Sequence, residues 1–116
     1  MKTQTILDKF EAVSTTIDVI SKENGDYFTF NEFGVVPVRC DIRYLWDGEE
    51  KIVEDKFYVD TVVLDTSDDC ITFELADNTK EMLNPEHILD LNITKISKTR
   101  YLEAIKEDKH RFDDLF

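Results

Sequence analysis

The hydrophobic period of this chain changes at Gly25, and that change does most to set the fold class. Upstream, Ile6, Phe10, Val13, Ile17 and Ile20 recur three or four residues apart, which is one stripe of an amphipathic helix. Downstream, apolar residues recur at every second position, the spacing of half-buried strands. Near Thr99 a helical spacing returns in Leu102, Ile105, Phe112 and Phe116. Helix, strands and helix within 116 residues predict one α+β domain over 1–116, with a helix at 5–24, a β region at 26–96 and a helix at 99–114. Thr5 is the expected cap of the first helix, Asp8 its weak capping-box partner, and Asn24-Gly25 its stop.

In the β region, Asp26–Phe30 reads as a short strand and Asn31–Gly34 as its turn. Val36, Val38, Cys40, Ile42, Tyr44 and Trp46 then alternate with polar residues, so one face of a long strand is expected to be buried. Pro37 cannot donate to a ladder and belongs at an edge or a bulge. A second long strand follows, from Lys51 to Asp65. A two-residue Asp47-Gly48 turn would set Arg39 opposite Lys56, whereas a four-residue loop over Asp47–Glu50 pairs Arg43 with Glu54, Cys40 with Phe57 and Val38 with Val59. Cross-strand pairs differ by about 0.2–1 kcal/mol each, which favours the four-residue loop, although that loop sets Asp55 opposite Ile42. Val53, Phe57 and Val59 are odd-numbered while Val62 and Leu64 are even. The phase change predicts a bulge near Asp60-Thr61.

Thr66–Asp69 is a turn, Ile71, Phe73 and Leu75 alternate in a strand, and Asp77-Asn78 turns the chain into a short return strand, Lys80–Leu83. Asn84-Pro85-Glu86-His87-Ile88 reads as one helical turn capped by Asn84. Leu89, Leu91 and Ile93 form a last strand. The order within ITFELADNTKEMLNPEHILDLNI resembles the closing half of an SH3-like small barrel. The expected fold is therefore a strongly bent antiparallel sheet or small SH3-like β-barrel, flanked by N- and C-terminal amphipathic helices.

The formal net charge is −12, and it is concentrated in the middle of the chain. Residues 30–92 carry sixteen acids against five bases, while 93–116 carry five against six. Such a region repels phosphate and favours a basic protein partner, so no direct nucleic-acid binding is expected. No apolar run approaches the ~20 residues of a membrane span, and MKTQTILDKFEAV lacks the pattern of a signal peptide. Cys40 and Cys70 read as reduced thiols of a cytoplasmic protein. No cofactor, metal site or catalytic residue is expected. The cysteines and His87 lack metal-ligand spacing, the acidic turn lacks the calcium-loop pattern, and no phosphate loop or nucleophile turn is present.

The candidate partner-binding residues are the acids of the two turns, Glu49, Glu50, Asp65, Asp68 and Asp69, together with Asp113, Asp114 and Phe116 of the tail. The last five residues, Phe112-Asp113-Asp114-Leu115-Phe116, resemble the acidic C-terminal tips of bacterial single-stranded-DNA-binding proteins, without the proline that usually precedes the final Phe. That resemblance implies docking of Phe116 into a basic pocket. The helical stripe implies instead that the tail packs on its own domain. The expected function is a non-enzymatic acidic interaction module for a basic protein, in its sharper form a nucleic-acid mimic or inhibitor like the small acidic proteins of phages and mobile elements. The alternatives are an accessory assembly protein that forms homo-oligomers and an enzyme whose site carries no recognised motif.

Overall fold

The computed structural model describes residues 1–14, 16–31, 36–54 and 57–113, with side chains through Lys106. It is an α+β fold: two helices and an eight-stranded antiparallel sheet that does not close. Helix α1 spans Thr3–Glu11. The strands are β1 (Thr16–Lys22), β2 (Gly25–Asn31), β3 (Val38–Trp46), β4 (Glu49–Val53), β5 (Tyr58–Asp65), β6 (Cys70–Leu75), β7 (Lys80–Leu83) and β8 (Ile88–Thr94). Helix α2 spans Lys98–Asp113.

The first helix is half as long as its stripe suggests. It starts after Lys2 rather than at Thr5 and ends at Glu11, and Thr16–Lys22 is a strand. Four of the five residues Thr16-Ile17-Asp18-Val19-Ile20 are β-branched, which favours a pleated strand over a helix. Asn24-Gly25 is therefore not a helix stop but part of the tight connection between β1 and β2, which pair from Lys22↔Gly25 to Thr16↔Asn31. A Cβ on Gly25 would lie 2.5 Å from the Thr66 hydroxyl and 2.9 Å from the Ser67 nitrogen, so the close approach of the two turns requires glycine. The Asp26 amide donates to Thr66 Oγ1 at 2.7 Å, and the Thr66 amide donates to the Asp26 carbonyl at 2.9 Å.

The β3–β4 hairpin uses the two-residue turn, not the four-residue loop. Asp47 (φ 51°) and Gly48 (φ 77°) both adopt positive φ, the requirement of the two-residue turn that matches strand twist. Arg43 consequently faces Ile52, and Ile42 faces Val53 in place of Asp55. The wider register holds farther along. Val38 pairs with Val59 and Arg39 with Tyr58, and the Cys40 amide donates to the Phe57 carbonyl at 2.8 Å. Both registers occur because the expected long strand is two strands, β4 and β5. Lys56 lies outside the described residues.

The bulge expected at Asp60-Thr61 is present: β5 pairs with β6 through Val59↔Leu75 and then Thr61↔Glu74. Val59, Val62 and Leu64 are all buried as a result. The turn at Asn84 is also as expected, with the Asn84 side chain accepting from the Glu86 amide at 2.9 Å and Pro85 opening the 3-10 turn. A second bulge opposite Arg43 and Tyr44 moves Leu89 out of the expected face, so Ile88 and Leu91 are the buried residues of β8. The turn expected at Asn31–Gly34 falls mostly outside the described residues.

The core is aromatic at its centre. Phe10 of α1 meets Phe30 of β2 at 5.8 Å and Phe73 of β6 at 6.2 Å, and Phe73 meets Phe57 edge-on at 5.3 Å. Ile6 and Phe10 are fully buried and Val13 packs partly against them, but Ile17 and Ile20 are exposed on β1. In α2 it is Tyr101 that touches the sheet, edge-on to Tyr58 at 5.4 Å, while Leu102 is exposed. Replacing Phe10 by alanine is expected to lower unfolding free energy by about 3–5 kcal/mol, measured by urea denaturation at neutral pH. A loss under 1 kcal/mol would show that α1 does not seal the core.

Candidate partner-binding surface

Asp65 is built into the fold. It is 9% exposed, its carboxylate lies 2.6 Å from Lys22 Nζ, and it accepts from the Ser67 amide at 3.0 Å. The hydrogen bond from Lys22, then that from the Ser67 hydroxyl, hold its pKa down at about 2. The same contact raises the pKa of Lys22. This pair ties the β1–β2 hairpin to the end of β5, whose residues Val62–Asp65 pair with Tyr27–Phe30.

Asp68 and Asp69 are exposed in the next turn, with Asp69 at φ 48°. Glu49 and Glu50 begin β4, beyond the tip of the β3–β4 hairpin. Glu49 lies 3.2 Å from Lys51 and Glu50 3.3 Å from Arg43. The two acidic groups are not brought together. β3 runs antiparallel to β5, so the hairpin tip and the Thr66–Asp69 turn lie toward opposite ends of the sheet. Asp113 belongs to α2 by its backbone, and Asp114 and Phe116 lie outside the described residues.

Between these ends, the ion pairs show what the surface charge amounts to. Every described cation of the region 36–92 faces an acid: Arg39 with Asp41, Arg43 with Glu50, Lys51 with Glu49, and Lys80 with Glu74. Exposed carboxylates of Asp47, Glu54, Asp60, Asp68, Asp69 and Glu86 have no cation within 4.0 Å among the described residues. The local positive charge is thus neutralised in place, and the excess acid is left facing solvent.

Two further features escaped the alternation of the sequence. Tyr44 is only half-buried and Trp46 is 57% exposed, because the β3–β4 hairpin outruns the core that buries Val38, Cys40 and Ile42. Ile52, on the opposite face of the hairpin, is also exposed. Beside the hairpin, a groove of about 150 Å³ is lined by Ile42, Tyr44, Val53, Phe57, Leu75, Glu81 and Leu83. The signal for Glu81 was its even spacing from Leu83, which puts both on one face of β7.

The two thiols sit in different environments. Cys40 is buried, and burial pushes its pKa up to about 12, so it is a packing residue. Cys70 is half-buried and 4.0 Å from the Thr72 hydroxyl. Among the described residues no group of three His, Cys, Asp or Glu side chains is placed to hold a metal, and no helix is long and apolar enough to cross a membrane. No family model, curated protein or solved structure matches the chain.

The Asp65 pair has a definite pH signature. A carboxylate whose folded pKa lies below its ordinary 3.8 contributes stability above that value and loses it as pH falls toward about 2. Asp65→Asn is expected to be less stable than the parent at pH 6 and to close much of that gap by pH 2, followed by thermal melts across the range. A gap that stays constant would show that the carboxylate's charge is not what holds the hairpin.

Proposed function

We propose that this chain is a non-enzymatic acidic interaction module that binds a basic protein. The observation that carries the reading is the pairing pattern: the described cations of residues 36–92 are neutralised by neighbouring acids, while the exposed acids Asp47, Glu54, Asp60, Asp68, Asp69 and Glu86 have no cation within 4.0 Å among the described residues. A surface so arranged attracts a basic surface at long range and repels polyanions. In its sharper form the module occupies the nucleic-acid site of a DNA- or RNA-binding protein. The fold in this reading is an opened SH3-like barrel. Its support is the strand sequence β8-β3-β5-β6-β7, with a 3-10 turn between β7 and β8.

A second reading, homo-oligomerisation, is supported by β1. That strand pairs only with β2 among the described residues and exposes Ile17, Val19 and Ile20.

The test is capture of a partner by the intact chain, followed by a salt titration of the purified complex. The dissociation constant is expected to rise at least tenfold between 50 mM and 500 mM salt, since screening shortens the range of attraction to a few ångströms. Competition by DNA or RNA for the same partner supports the mimic. A constant that does not move with salt overturns the acidic-surface reading.

A further inference from the structure

The groove beside the β3–β4 hairpin has a chemistry that selects its occupant. β3 and β4 contribute Ile42, Tyr44 and Val53, the β5–β6 region contributes Phe57 and Leu75, and β7 contributes Glu81 and Leu83. Its volume of about 150 Å³ is on the scale of a cavity that admits a benzene-sized group. One of its seven lining residues is charged. Glu81 pairs in register with Phe73, which is fully buried, and so stands on the inner face of the sheet with Leu83. The neighbouring cation, Lys80, is on the opposite face and lies 3.4 Å from Glu74. No described cation lies within 4.0 Å of Glu81.

A wholly apolar guest would bury this carboxylate without a partner, and an acidic guest would repel it. A lysine or arginine side chain satisfies both parts of the groove, because its stem is aliphatic and its head is cationic. Tyr44 adds an aromatic face for the cation. On that face of the hairpin Lys51 stands opposite Tyr44 and lies 3.2 Å from Glu49, so it is already paired and Glu81 is left as the groove's own acid. β7 pairs only with β6 among the described residues, so its other edge offers backbone groups to an extended segment.

We propose that this groove receives one lysine or arginine side chain from an extended basic segment of a partner protein, with its charge on Glu81. The inference rests on the basic-partner reading above and names its point of contact.

The probe is a blocked Thr-Val-Arg-Val-Thr pentapeptide, compared with the same peptide carrying neutral citrulline in place of arginine. Amide shifts of the intact protein and the fluorescence of Trp46, its single tryptophan and the next residue after Tyr44 on that strand face, report binding. The arginine peptide is expected to move the amides of Lys80–Leu83 and to bind at least tenfold more tightly than the citrulline peptide. Glu81→Gln should remove that preference without lowering the melting temperature, since Glu81 is exposed. Equal affinity for the two peptides, an unchanged preference in Glu81→Gln, or shifts confined to the Asp68-Asp69 turn would each overturn the proposal. So would sedimentation showing a dimer that excludes the peptide, because a second copy would then fill the groove. If the groove fails while a salt-sensitive basic partner is still captured, the acidic-module reading stands; if neither is found, both fall.

Discussion

The pairing of β5 is the constraint on which the rest of the sheet depends. Along one edge it meets β6 from Val59 to Asp65. Along the other its first residues join β3 and its last four join β2. One edge can serve two partners only if the strand changes course between them, and the extra residue at Asp60 supplies that change. The bulge also exchanges the faces, so Val59 before it and Val62 and Leu64 after it all reach the same core. Phe10 then fills the space between Phe30 and Phe73, on the two strands that β5 joins.

The parts that the sequence made legible are those where local chemistry and tertiary packing agree. A phase change in the apolar pattern has few causes, and the one at Asp60-Thr61 marked the bulge. Asn84-Pro85 was equally plain, since a capping side chain and a missing amide both belong at the start of a turn. The helix is shorter than its stripe because Val13, Ile17 and Ile20 satisfy helical spacing by coincidence, while Ile17 and Val19 also satisfy a strand. The β-branched run and a glycine hairpin decided between them. The hairpin departs from the register that side-chain pairing favours because that pairing assumes one continuous strand, whereas the chain makes two. The backbone preference of Asp47-Gly48 governs only the near half, and β4 ends before the two demands collide.

The candidate surface was legible as composition but not as arrangement. Acid content fixes the sign of the field, whereas ion pairing and strand direction fix its shape. Asp65 looked like one of three equivalent turn acids, yet its partner Lys22 is forty-three residues away in sequence and reaches it through the β1–β2 hairpin that the helical stripe concealed. Nothing in the sequence around Glu81 sets it apart, since a glutamate in a short strand between turns is ordinary. Its interest comes from facing inward beside an apolar groove, a property of the pairing with Phe73 and not of the sequence around it.

Salt separates the two readings of this surface because it acts on them with opposite sign. With a net charge of −12, the folded chain repels itself, and screening relieves that strain. Rising salt therefore stabilises the fold while it weakens attraction to a basic partner. A complex that dissociates as the melting temperature climbs is losing an electrostatic contact, since the protein it leaves is better folded than before. Apolar self-association through Ile17, Val19 and Ile20 behaves the other way: sulfate strengthens burial of apolar surface and screens repulsion between like-charged copies. Melting and sedimentation across one sulfate series thus distinguish an acidic docking module, whose heterocomplex weakens as the fold strengthens, from an assembly protein, whose oligomer and fold strengthen together.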